Sequence, residues 1–367
     1  MRTAFYNGFI FTGDDKILDK VIVEGNTIVS THDGSADINI DLQGDILAPA
    51  FIDLQIYGGN NQLFGEHPSV SSLIATVDYS VAGGATLILP TVATNSQEIM
   101  NAAIDAVREY WNSGYPGVAG LHLEGPFINP EKRGAHIPKF IKSPTLKDAE
   151  ELIRIGKGVI KMMTLAPEVC PPEVISYLQQ NGVIISAGHT NATFEQALTG
   201  NVNLATHLFN AMSPLQHRAA GMVGAILSSK QIRATVIADG NHVDYHVIAI
   251  AKKIMGERLL LITDAVTTNT SGLYQHQLQG DKYVMPDGTL SGSALTMLKA
   301  VRNCIEAVDI PQEEALRMAS LYPAQVLLLD HKRGRIKEGY DAELVRFDNN
   351  YQLKSVYTNG SLTNMPG

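Results

Sequence analysis

The chain alternates between two textures. Through its middle, short apolar runs recur at residues 46–56, 86–90, 118–123, 159–165, 183–187, 203–206, 234–238 and 259–263. Segments of helical length separate them, for example 69–81, 96–111, 171–180 and 245–255. Strands that are apolar on both faces and alternate with helices indicate a parallel sheet covered on both sides. Eight such units predict a closed (β/α)8 TIM barrel, an α/β fold. An open doubly wound sheet is the competing arrangement. The two ends differ from the middle. Residues 9–13 and 21–29, with Gly25-Asn26 as a hairpin turn, are rich in β-branched and aromatic side chains, as are 343–347 and 353–357. The ends are expected to pair as one small β-sandwich domain, 1–47 plus 336–367, beside a barrel spanning 48–335. Residues 271–288, with their glycines and proline, predict a strand hairpin inserted after the eighth run.

Composition narrows the function. The 367 residues carry 28 Lys+Arg against 37 Asp+Glu, a net charge of −9, with 45% hydrophobic and 18% charged positions. That is a folded, core-forming chain. Its acidity argues against a surface that coats nucleic acid or an anionic membrane, so neither is an expected partner. Any anionic substrate must be met by a few local cations. Cys170 and Cys304 make no disulfide framework, and neither a secretory leader pattern nor an apolar span of about 20 residues is evident. A cytoplasmic location is expected. Eleven histidines are left to explain.

In a parallel barrel the chemistry collects where the strands end. The first run ends in Gln55-Ile56-Tyr57 and the third in His122-Leu123-Glu124. The fifth and sixth lead to His189 and His207, the seventh to Asp239 and His242, and the eighth to Asp264. A single histidine at a strand end is ordinarily a hydrogen-bonded structural residue. Several on one rim are harder to dismiss, since each needs a partner once desolvated. Glu124, His189 and His207 make a two-imidazole, one-carboxylate set suited to a borderline divalent ion. His122 competes for that role, with Glu124 then capping the next turn, because alternation places 122 and 124 on one strand face. Asp264 is the candidate general base for water activated beside such an ion. An ordinary turn aspartate is the alternative.

Seven stretches carry a resemblance to a known family. Residues 48–53, 122–127, 186–192, 206–212, 238–244, 263–265 and 290–293 are similar, in that order, to motifs of the N-acetylglucosamine-6-phosphate deacetylases, within the amidohydrolase superfamily. The resemblance implies a metal-dependent barrel with a small β domain built from both chain ends. It implies Glu124, His189 and His207 as ligands of one divalent ion per subunit, zinc or iron. Asp264 would be the acid–base residue, and His136, in Gly134-Ala135-His136, would lie near the acetyl carbonyl. Ala135, Asn210, Ala211 and His242 would contact the sugar phosphate. Arg218 would reach the phosphate from a neighbouring subunit, which implies a homodimer. The implied reaction is hydrolysis of the acetamide of N-acetyl-D-glucosamine 6-phosphate to D-glucosamine 6-phosphate and acetate.

One departure from the wider superfamily bears on the metal count. Where most members have His-x-His for a second ion, this chain has Gln55-Ile56-Tyr57, and amide and phenol are weak ligands. One ion is therefore expected. Lys161, a candidate bridging carbamate, falls several residues before the end of its run and reads as structural; Trp111 reads as packing in an outer helix. From the residues alone the phosphate is less constrained. No Walker-type loop is present, and Gln216-His217-Arg218 with His242 are the cationic candidates near the rim. The fork of Arg218 suits phosphate, and a solvated loop charge is the alternative. Two other functions stay open: a deaminase or cyclic-amide hydrolase on the same barrel, and a non-catalytic sugar-phosphate-binding protein.

Overall fold

The computed structural model describes residues 1–14, 17–32 and 34–365. The backbone forms two compact units, one of residues 1–53, 80–87 and 296–367, the other of 54–79 and 88–295.

Eight strands follow one another in sequence order around a single sheet: Phe51–Ile56, Ala85–Ala93, Leu121–Glu124, Ile160–Leu165, Ile184–Ala187, Leu204–Ala205, Arg233–Val236 and Leu259–Leu261. Pairing from the second strand to the eighth is parallel throughout. A parallel bridge between Ile56 and Ala265, with Tyr57 N–H donating to Ala265 O at 2.9 Å, joins the end of the first strand to the chain just past the eighth. The sheet therefore closes into the expected barrel. Every residue of Phe51–Ile56 is buried, which is why these strands read as unbroken apolar text.

Helices Val70–Ala82, Gln97–Asn112, Pro172–Gln180 and Tyr245–Met255 lie within a residue of their expected bounds. The second shows why. Ser96 caps it by accepting the Ile99 N–H, and Met100, Ala103, Ile104 and Val107 form its buried stripe. Two strands differ from expectation. The first run divides, with Ile46–Pro49 pairing antiparallel with Leu344–Phe347 and Phe51–Ile56 entering the barrel. The second strand, by contrast, runs through Pro90 to Ala93, so the rim begins at Thr94.

In the first unit both chain ends build one eight-stranded sheet. Arg2–Phe11 pairs with Ile17–Glu24, Ile38–Asp41 and Ile46–Pro49, and the C-terminal strands Leu344–Phe347, Leu353–Thr358 and Ser361–Asn364 continue from Ile46–Pro49. Phe5, Val21, Val23, Leu47, Leu344 and Tyr357 share its core. The insertion is larger than a hairpin: Gln277–Gln279, Lys282–Val284 and Leu290–Ser293 form a three-stranded antiparallel sheet. Among the described residues, no helix is long and apolar enough to cross a membrane.

Candidate metal centre

Glu124 closes barrel strand three, and the chain must turn at once. Gly125 sits at φ +83°, where a β-carbon would meet Thr94 Oγ1 at 2.1 Å, so glycine is required there. His189 and His207 follow strands five and six, and Asp264 follows strand eight. All three have left-handed backbones, at φ 49°, 35° and 54°. Side chains disfavour that conformation, and its concentration on one rim marks a place where the fold holds residues in unusual poses.

The ligand-capable atoms of Glu124, His189 and His207 lie within 4.8 Å of one another. His207 Nε2 is 3.1 Å from Glu124 Oε1 and 3.1 Å from His189 Nε2, and His189 Nε2 is 3.4 Å from the same oxygen. His189 Nδ1 is 2.9 Å from Lys132 O, which must accept its proton. The Nε2 lone pair then points inward, the tautomer a metal ligand needs. Two imidazole nitrogens and a carboxylate oxygen gathered this closely fit a borderline divalent cation. His207 Nδ1 is buried and has no hydrogen-bond partner among the described residues.

Glu124 is also held from the strand-one side. Gln55 Nε2 donates to its Oε1 at 2.9 Å, and the Tyr57 hydroxyl donates to Oε2. His136 Nε2 lies 3.1 Å from Oε2. Burial alone would raise the Glu124 pKa, but the surrounding His189, His136 and His207 hold it well below its ordinary value. Burial, then the charges of Glu124 and Asp264, push Tyr57 well above the usual phenol value, so it remains a donor. Burial likewise lowers His136 to about 4, keeping it neutral. The Thr94 N–H donates to His136 Nδ1 at 3.3 Å, which leaves the proton on Nε2.

Gathered with the three around one cavity of about 200 Å³ are Ala135, His136, Asn210, Ala211, His242 and Asp264. That space far exceeds the 10–15 Å³ or so that one water needs. Asp239 steers His242, with Oδ2 2.7 Å from Nδ1 and Oδ1 accepting the His242 N–H at 2.8 Å. Arg218 lies elsewhere, in a second cavity with Asn191, Glu195 and Gln216. His122 does not line the first cavity; its Nδ1 faces Leu54 O at 3.1 Å and its Nε2 faces Thr164 Oγ1 at 2.8 Å. Sequence reasoning missed Thr94, because the second run was ended at Pro90. It also missed Tyr274 and His276, cavity residues of the insertion. Their spacing of two was the available signal. The Tyr274 hydroxyl donates to Thr94 O at 2.6 Å.

A closed parallel barrel whose strand ends gather two imidazoles and a carboxylate beside further proton carriers is the architecture of a metal-dependent hydrolase. The sequence profile of the amidohydrolase family matches residues 46–363, and the chain belongs to that family. Within it, the chain is similar to deacetylases of amino-sugar 6-phosphates. It is 34% identical to the N-acetylglucosamine-6-phosphate deacetylase of Haemophilus influenzae, over 98% of this chain and 99% of that one. It is 35% identical to an N-acetylgalactosamine-6-phosphate deacetylase of Shewanella sp., over 88% of this chain and 84% of the other. The crystal structure of the N-acetylglucosamine-6-phosphate deacetylase from Pasteurella multocida superposes with a TM-score of 0.94 at 35% identity, covering all of both chains.

Proposed function

We propose that this chain hydrolyses the acetamide of N-acetyl-D-glucosamine 6-phosphate, giving D-glucosamine 6-phosphate and acetate. The observation that carries it is the meeting of Glu124, His189, His207, His136 and Asp264 around one cavity. Relatives named for that reaction at full-length coverage support it. Glu124, His189 and His207 would hold one divalent cation, zinc or iron, which when bound supplies Lewis-acid polarisation and makes water a better nucleophile near neutral pH. The chain's own groups do the rest. His136, neutral and protonated on Nε2, offers that N–H to the acetyl oxygen as negative charge develops there. Asp264 takes the proton of the attacking water at its carboxylate and returns it to the sugar nitrogen, which leaves poorly unless protonated. His242, steered by Asp239, contacts the sugar phosphate together with Ala135, Asn210 and Ala211. Arg218, which lines a different cavity of its own subunit, serves the phosphate in the neighbouring copy of a homodimer. Cys170 and Cys304 are buried and form no disulfide, which fits a reducing cytoplasm.

Asp264→Asn tests the mechanism. It should retain the metal and substrate while kcat falls by roughly 10²–10⁴; a near-normal rate would sink the assignment. Arg218→Ala should erase most of the preference for phosphorylated over unphosphorylated N-acetyl sugar. The Shewanella relative favours a second reading, the 4-epimeric N-acetylgalactosamine 6-phosphate. Acetate release from the two epimers, compared by kcat/KM, decides between them.

A further inference from the structure

Barrel strand four sends no side chain into the cavity, yet three residues beyond it stands a carboxylate with a distinctive set of partners. Glu168 Oε1 accepts from Asn129 Nδ2 at 2.9 Å and from the Asn191 N–H at 2.6 Å. Its Oε2 accepts from the Thr190 hydroxyl at 2.5 Å. All three donors are neutral, and they come from two different loops, one after strand three and one after strand five. A carboxylate shared in this way acts as a charge-assisted clamp between the loops.

The residue inside the clamp is His189. Asn129 N–H donates to His189 O at 2.9 Å, and His189 Nδ1 meets Lys132 O at 2.9 Å. Asn129 also caps the turn Pro130–Lys132 through the Glu131 N–H, so one amide side chain sets the turn that presents the Lys132 carbonyl. His189 is thus gripped at its backbone and at its ring by a turn that Glu168 anchors. With φ at +49°, it has a backbone that must be held from outside.

We infer that Glu168 is a positioning residue, locking residues 129–132 onto 189–191 so that the His189 ring keeps its tautomer and direction before any cation arrives. The inference rests on the reading of His189 as a metal ligand. Partners behind a ligand typically influence affinity by 10- to 100-fold.

The test is Zn²⁺ affinity of the full chain, measured by competition with a chromophoric chelator. Glu168→Ala should raise the Zn²⁺ Kd about tenfold, with kcat near that of the parent once Zn²⁺ is saturating. A Kd within twofold of the parent overturns the inference, whatever happens to the melting temperature. Should Glu168→Ala fail to fold, Asn129→Asp replaces it, setting two carboxylates against each other. Adding Glu168→Gln to that variant should recover part of the lost affinity, and no recovery overturns the clamp. His189→Ala separates the two readings. If it leaves Zn²⁺ affinity intact, the ligand assignment falls and the inference with it. If it weakens Zn²⁺ while the Glu168 variant does not, only the inference falls.

Discussion

His122 and Glu124 lie two residues apart on barrel strand three, both almost wholly buried. Around His122 the polar groups form a chain of hydrogen bonds that partners both ring nitrogens. Its Nδ1 faces Leu54 O and its Nε2 faces Thr164 Oγ1; Thr164 meets Thr206 Oγ1 at 2.7 Å, and that oxygen meets Ser186 Oγ at 2.6 Å. Burial lowers the His122 pKa to about 4, so the imidazole stays neutral inside that chain. Glu124 also has neutral donors, Gln55 and Tyr57, but its Oε1 faces two Nε2 atoms only 3.1 Å from each other. Buried polar networks are stable when saturated. Polar burial alone therefore does not identify a site; convergence of donor atoms on one point does.

The largest effect should come from breaking that convergence. Glu124→Gln keeps the shape and removes the charge, so stoichiometric Zn²⁺ binding should be lost and kcat/KM should fall by roughly 10³ or more. The metal-free melting temperature should stay close to the parent's. Elemental analysis with steady-state kinetics checks both, and a variant that keeps its metal would return the ligand role to another residue.

A second test uses a histidine that is hydrogen-bonded at Nδ1 yet lines the cavity. His276 Nδ1 lies 3.0 Å from Ser291 Oγ, and burial pushes its pKa down to about 4. Unfolded, it titrates near 6.5. Between these values the unfolded chain binds a proton that the folded chain refuses, so its stability contribution is whole above pH 6.5 and shrinks as pH falls towards 4. The total is about 3 kcal/mol. Urea unfolding from pH 7.5 to 4 should show a shallower loss in His276→Gln than in the parent. Next in size is the polar chain around His122. Thr164→Val leaves His122 Nε2 without a partner and should cost about 1–3 kcal/mol, with one metal ion per chain retained. Loss of the metal instead would mean that the chain around His122 also shapes the convergence at Glu124.

Much of this was legible in the sequence, for reasons the same residues make plain. The barrel strands are buried on both faces, so their apolar runs survive as text, and the histidines and carboxylates after them fall where a barrel collects its chemistry. Choosing between His122 and Glu124 was not possible from alternation, because both occupy the same strand face. Only the partners around them separate the two. Thr94 was hidden by a proline that the second strand tolerates. Tyr274 and His276 were hidden because an insertion has no fixed place in the barrel's repeat. Glu168 was invisible for a different reason: its role exists only once two loops distant in sequence are side by side.

Asp239 and His242 combine both behaviours, and they set the smallest and sharpest test. The Nδ1 side of His242 is saturated as His122 is, by Asp239 Oδ2 at 2.7 Å, while the ring lines the cavity as Glu124, His189 and His207 do. Asp239 Oδ1 accepts the N–H groups of Asn241 and His242 at 2.9 and 2.8 Å, so one carboxylate fixes both the turn and the ring. Burial would raise the Asp239 pKa, but His242 and these N–H groups lower it, which keeps the carboxylate charged. Asp239→Asn preserves the shape and can still accept from the backbone, but it removes the charge that fixes the ring's tautomer. If His242 serves the substrate and not the cation, KM for the phosphorylated sugar should rise about tenfold, a loss of about 1.4 kcal/mol, with kcat and metal content little changed. A fall in metal content with KM unaltered would place His242 with the proposed ligands instead, and would extend the convergent set from three residues to four.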